Sequence, residues 1–269
     1  MTRIYTLVNQ KGGVGKTTSA INLGAYLGYF GQRVLLIDLD PQANATLSLG
    51  VEKPTDKKGM RGTYEVLIGA APIGQNVLHN PRFKISLLPS SPALAGAEVE
   101  LPNLPDQGLR LRSALELVSD RYDYVLIDCP PSLGVLTVNG LAAARDGVII
   151  PVQCEFLALE GLGQITATIN RVRVSLHPEL TVRGVVLTMF DGRTRLAVDV
   201  VNEVRRHFPN KVFQAIIPRS IRLAEAPSFG QPISTYAPES SAARAYAALA
   251  REILEQDGIH IPDLPEQGD

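Results

Sequence analysis

Short apolar runs alternate with amphipathic stretches along this chain. Apolar runs at 3–8, 33–37, 84–88, 123–127, 147–152, 182–188 and 212–217 predict strands. Helical spacing of apolar positions at 16–29, 63–68, 109–119, 137–144, 158–174, 194–208 and 239–256 predicts helices between them. Strands that are apolar throughout, each followed by a helix, belong in a parallel sheet covered on both sides. The expected fold is therefore α/β: a mostly parallel twisted sheet with helices on both faces. Residues 1–257 are expected to form one domain. Segments 51–62 and 89–108 read as surface loops, and 258–269, acidic and proline-bearing, as a frayed tail.

Composition narrows this picture only slightly. With 269 residues, 45% apolar and 20% charged, the chain can bury a sizeable core. Cys129 and Cys154 are its only cysteines, which gives no disulfide framework and suits a reducing cytoplasm. No signal peptide and no stretch long enough to span a bilayer is visible, so no membrane association is expected. A net charge of −1 does not mark the whole chain as nucleic-acid binding.

The chemistry begins directly after the first predicted strand. Residues 9–18 read Asn-Gln-Lys-Gly-Gly-Val-Gly-Lys-Thr-Thr and open the first helix. Strand, glycine-rich turn and helix make a phosphate cradle. Gly12, Gly13 and Gly15 let backbone N–H groups approach phosphate oxygens, with Val14 and Thr18 in the same loop. The helix N-terminus adds its positive end. Lys16 reaches the β/γ-phosphates and the Thr17 hydroxyl ligates Mg²⁺. The common pattern G-x-x-x-x-G-K-[ST] wants glycine at position 10, where this chain has Gln10, and a second lysine, Lys11, opens the loop.

Two apolar strands end in acids. Val34-Leu35-Leu36-Ile37 runs into Asp38 and Asp40, and Val125-Leu126-Ile127 into Asp128. Ligands of open α/β sheets sit at the carboxyl ends of strands. Asp40 is the candidate to position an attacking water, Asp128 to hold Mg²⁺ through water, and Asp38 to support the metal.

Lys11-Gly-Gly-Val-Gly-Lys-Thr resembles the deviant Walker A motif of the ParA/MinD group of P-loop ATPases. I-D-L-D-P-Q-A-N-A-T at 37–46 and L-I-D-C-P-P-S-L-G at 126–134 resemble ParA blocks. So do P-V-Q-C-E-F-L-A-L-E-G-L at 151–162 and I-P-R-S-I-R-L-A-E-A-P-S-F-G-Q-P-I at 217–233. The chain looks like the short, chromosomal (Soj-like) branch of ParA partition ATPases, with no room for an added DNA-binding domain before the first strand.

The resemblance implies a slow ATPase working with ATP and Mg²⁺. It implies an ATP-bound sandwich homodimer that binds double-stranded DNA nonspecifically, a ParB-type partner that stimulates hydrolysis, and a cytoplasmic, nucleoid-associated location. Lys11 falls on the lysine that crosses the dimer, Lys16 and Asp40 on catalytic positions, and Pro218 on a backbone contact to adenine. Two residues depart from the family: Ala43 replaces a glycine, and Ser220 an adenine-contacting asparagine.

Charge is distributed unevenly near the end. Residues 193–222 hold seven Lys or Arg against Asp199 and Glu203, while 225–269 hold eight acids against Arg244 and Arg251. Helical spacing puts Leu196, Ala197, Val200, Val201, Val204 and Phe208 on one face of 194–208, and Arg195, Asp199, Asn202 and Arg206 on the other. Such a face can contact DNA phosphates. Arg195 and Arg222 match family positions implicated in DNA binding; Arg206 and Arg219 are weaker candidates. Competing expectations are a MinD-like positioning ATPase, an ATP-switched DNA-binding regulator and an iron–sulfur reductase using the two cysteines.

Overall fold

The structure, a computed structural model, describes residues 1–52, 54, 61–156 and 158–261. Most of the expected 51–62 loop and most of the 258–269 tail lie outside them. Eight strands form one sheet: β1 (Arg3–Leu7), β2 (Val34–Asp38), β3 (Leu78–Asn80), β4 (Ile85–Leu88), β5 (Tyr124–Asp128), β6 (Gly147–Gln153), β7 (Val182–Phe190) and β8 (Val212–Pro218). Their order is β3-β4-β2-β5-β1-β6-β7-β8, parallel except for β3 against β4.

Alternate residues of each central strand feed two separate cores. Leu35 and Ile37 of β2, with Val125 and Ile127 of β5, join one cluster; Val34 and Leu36, with Tyr124 and Leu126, join the other. Both faces are therefore covered, which is why these strands carry no polar alternation. One layer contains α1 (Lys16–Tyr29) and α11 (Ser241–Gln256), together with the short α2 (Asn44–Ser48) and α10 (Ile233–Tyr236). The other contains α3 (Thr63–Ile68), α4 (Leu94–Glu100), α5 (Arg110–Glu116), α6 (Val135–Ala143), α7 (Ala158–Ser175) and α8 (Arg195–His207). A short α9 (Ile221–Glu225) follows β8.

Three departures from the sequence expectation have local causes. Segment 89–108 is not all loop: Leu94–Glu100 is helical and buries Leu94 and Ala97, because its alanines favour helix once one side finds a core. β3 is a three-residue edge strand with no buried residue, too short to leave a pattern. On α8, Leu196 is exposed, and Ala197, Val200, Val201 and Val204 carry the buried face alone.

The sheet also fixes where a ligand can sit. From β1 the chain moves one way to β2, while β6 lies on the other side of β1. The crevice at such a switch point opens at the strand's carboxyl end. That is where the glycine-rich loop leaves β1.

Candidate nucleotide site

Hydrogen bonds tie the loop between β1 and α1 to β6, β7 and α7. Gly13 and Gly15 have φ of 75° and 85°, the left-handed region that favours glycine. Asn9 Oδ1 accepts from Lys11 N at 3.1 Å, and Asn9 Nδ2 donates to Pro151 O at 2.8 Å. Thr188 Oγ1, on β7, donates to Val14 O at 2.8 Å. Gln10 Nε2 donates to Thr168 Oγ1 at 2.9 Å and so ties the loop to α7. Gln10 thus has an anchoring use in place of the common glycine. Sequence reasoning missed Asn9 and Thr188; Asn9 stood inside the motif, whereas nothing marked Thr188.

At the start of α1, Gly15 caps with its backbone alone and the first turn carries no acid. Its N–H groups and dipole favour an anion there. Lys16 is buried, and its Nζ donates to Lys11 O at 3.2 Å. Burial lowers its pKa, and Asp128, Cys129 and Asp40 raise it part of the way back.

A cavity of about 430 Å³ adjoins the loop. Gly15 and Thr18 line it where it meets the loop, with Thr188, Pro218, Ser220 and Tyr246 among the remaining lining. Its volume and largely apolar wall suit a base and sugar. Tyr246 was missed from sequence; it lies fully buried on α11 with its hydroxyl 3.0 Å from Ser19 Oγ.

The three strand-end acids differ in their surroundings. Asp128 is fully buried and neither carboxylate oxygen has a hydrogen-bond partner among the described residues. Burial first, then the charge of Asp38, pushes its pKa far up; the nearby Thr17 hydroxyl and Lys16 offset part of this. An orphaned carboxylate beside a hydroxyl at a phosphate loop fits Mg²⁺, so Thr17 and Asp128 are the residues that would hold it. Asp38, also expected at the metal, is already occupied within the chain. It accepts from Asp40 N at 3.2 Å, Thr46 N at 2.8 Å and Thr46 Oγ1 at 2.6 Å. Burial still raises its pKa to about 6. Ser90 completes the brace: its N donates to Thr46 Oγ1 and its Oγ to Asp40 O. Asp38 therefore orders the loop that carries Asp40, whose Oδ1 accepts from Gln42 N at 2.9 Å.

Ala43 adopts φ 58° and ψ 37°, the conformation a glycine would take there without penalty. Ser220 lines the cavity, as its sequence position suggested.

The basic candidates do not carry equal free charge. Arg206 pairs with Glu203 at 2.7 Å, Arg219 with Glu155 at 3.5 Å and Arg222 with Glu225 at 3.0 Å. Arg195 is exposed and has no ion pair among the described residues; Arg205, which sequence reasoning passed over, is in the same condition. Cys129 and Cys154 are buried, free thiols with pKa values pushed up by burial, Cys154 to about 11. Buried, protonated thiols do not resemble cluster ligands. No helix among the described residues is long and apolar enough to cross a membrane.

Comparisons with known proteins agree with this geometry. The family described as "AAA domain" matches residues 2–182. The sporulation initiation inhibitor protein Soj of Bacillus subtilis is 47% identical over 253 residues, covering 94% of this chain and 98% of that protein. The chromosome-partitioning ATPase Soj of Thermus thermophilus is 51% identical over 252 residues, covering 94% and 95%. Among solved structures, cobyrinic acid a,c-diamide synthase from Mycobacterium smegmatis, with bound ATP analog and magnesium, is similar at TM-score 0.83. It is 37% identical and covers 98% of this chain and 100% of that one. MinD from Pyrococcus horikoshii, complexed with Mg-ADP, is similar at TM-score 0.75 and 26% identity, covering 96% and 98%. A glycine-rich loop with two lysines, acids at the ends of β2 and β5, and relatives of this identity over nearly the full length lead to one conclusion: the chain belongs to the ParA/Soj family of chromosome-partitioning P-loop ATPases.

Proposed function

We propose that the chain hydrolyses Mg-ATP as a switch for DNA partitioning. In this reading the ATP-bound form pairs two copies across the P-loop face and binds duplex DNA without sequence preference. A ParB-type partner drives it through hydrolysis, in the cytoplasm on the nucleoid. One observation carries the dimer reading. Lys16 already lies within its own chain's cluster of phosphate loop, Asp40 and Asp128, while the Lys11 ammonium lies outside it, 3.7 Å from Glu155. A lysine surplus to its own site suits the nucleotide of a second copy. Phe156, Leu159 and Leu133 are exposed apolar side chains following β6 and β5 on that same side of the sheet, which supports a covered face.

The residue roles follow from position. Backbone N–H groups of Gly12 to Thr18 bind the phosphates, and Lys16 exchanges its carbonyl partner for phosphate oxygens. Thr17 and Asp128 would hold Mg²⁺, which would supply counter-charge to the phosphates. Asp40 orients the attacking water, on a loop that Asp38 keeps in place. Pro218, Ser220 and Tyr246 surround the base. Lys11 of the second copy adds charge where the transition state spreads it. DNA binds through Arg195 and Arg222, with Arg206 and Arg219 contributing less. One copy offers a small basic surface, and pairing doubles it.

A membrane-cycling role is less well supported. α11 spends its apolar face on α1 and β8, burying Ala242, Tyr246, Leu249 and Ile253. The test is turnover with and without random-sequence DNA and a ParB-type protein. Turnover rising only when both are present supports the partition reading. A rate unaffected by either contradicts it.

A further inference from the structure

The carboxylate of Glu155 joins two residues that the proposed function assigns to different events. It stands just past the end of β6, between the loop that leaves β1 and the chain that leaves β8. Its Oε2 lies 3.7 Å from Lys11 Nζ and its Oε1 lies 3.5 Å from Arg219 Nη2. Gln153 Nε2 also donates to Oε1, which fixes the carboxylate from behind. Lys11 has its backbone committed on both sides, N to Asn9 and O to Lys16. Only its side chain is free to swing, and Glu155 is its only ion-pair partner among the described residues.

We propose that Glu155 is a positioning residue that holds Lys11 at rest on its own chain until a second copy offers a nucleotide. The inference rests on the dimer reading above. To reach the phosphates of a second copy, the Lys11 ammonium has to leave Glu155. The pair is thus a contact of the lone chain that the dimer gives up. Glu155 at the same time partly neutralises Arg219, at the rim of the cavity. Both partners are partly exposed, their side chains 36% and 44% accessible, so the restraint is small. An exposed pair is worth at most about a five-fold change in an equilibrium. A dimer breaks two of them, so removing the charge of Glu155 should tighten dimerisation roughly two- to twenty-fold.

The experiment uses the full chain with Asp40→Ala, which stops turnover, in saturating Mg-ATP. Sedimentation over a range of protein concentrations gives the dimer dissociation constant with and without Glu155→Gln. The expected result is a dimer two- to twenty-fold tighter in Glu155→Gln, with the difference vanishing when Lys11→Ala is added to both chains. A merely structural role for Glu155 would not depend on Lys11. An unchanged or weaker dimer in Glu155→Gln, or a gain that survives Lys11→Ala, overturns the proposal. An Asp40→Ala chain that stays monomeric in ATP overturns the dimer reading itself, and the inference with it.

Discussion

Asp38 and Asp128 stand opposite each other in register at the carboxyl ends of β2 and β5, both fully buried. Asp38 receives three donors from its own loop, and Asp128 receives none from the described residues. One carboxylate is used to build the site, and the other is left for a ligand.

An unpartnered buried carboxylate destabilises the empty chain. Asp128→Asn should raise the ligand-free stability by about 1–2 kcal/mol, because the variant folds without having to take up a proton on a carboxyl that burial and Asp38 keep from ionising. A melting shift of roughly 3–6 °C is expected. The same variant should lose the further stabilisation that Mg-ATP gives the parent chain. Calorimetry with and without Mg-ATP reads both effects; a variant that melts lower when empty would contradict this role for Asp128.

The pH dependence follows from the same pair. Both native pKa values lie above the unfolded carboxylate's, so the native chain holds protons that the unfolded chain has released. Their contribution is therefore largest at low pH and falls as pH rises through about 6, the Asp38 value, with Asp128 extending the fall upward. The ligand-free chain should melt higher at pH 5.5 than at pH 7.5, and Asp128→Asn should narrow the difference. An identical melting point at both pH values in the parent chain would contradict it.

Ala43 tests the cost of a family departure. Its left-handed backbone costs roughly 1–2 kcal/mol relative to glycine. Ala43→Gly relieves this but gives up a buried methyl and adds unfolded-state freedom, together about 1–2 kcal/mol. The expected net change is within about 1 kcal/mol, whereas Ala43→Val, branched and with no room, should lose more than about 2 kcal/mol. Urea titration of the two variants separates them. A large gain from Ala43→Gly would show that the strain is not offset.

Asp257 closes α11 onto the sheet. Its carboxylate accepts from Tyr5 at 2.8 and 2.9 Å and Tyr124 at 2.8 Å, and it pairs with Arg183 at 3.0 Å. Asp257→Ala strands buried donors on β1, β5 and β7 and should cost about 2–4 kcal/mol in urea unfolding. Because α11 also brings Tyr246 to the cavity, nucleotide affinity should weaken near the melting range first.

The central strands and the phosphate loop were legible because each is a local pattern. β2 and β5 are apolar up to their terminal aspartates, and the lysine–glycine spacing around Gly15 has few other uses. α4 was hidden because its Ala and Gly content resembles a loop until Leu94 and Ala97 meet a core. Thr188 and Tyr246 reach the site from β7 and α11, distant in sequence, and no local pattern announces a tertiary neighbour. The bracing use of Asp38 was hidden for a related reason: its partner Thr46 lies eight residues on, across a loop whose closure the sequence does not display.

In the proposed cycle, ATP gates DNA binding by pairing two copies. This gating is tested most directly by titrating a labelled random-sequence duplex with the Asp40→Ala chain in Mg-ATP, in Mg-ADP and without nucleotide, over a range of salt. Binding is expected in ATP alone. Its affinity should fall with salt at a log–log slope of roughly −0.9 per phosphate neutralised. Arg195→Glu, which removes an exposed arginine with no ion pair among the described residues, should abolish binding while dimerisation persists. Equal binding in all three nucleotide conditions would show that ATP does not gate DNA binding.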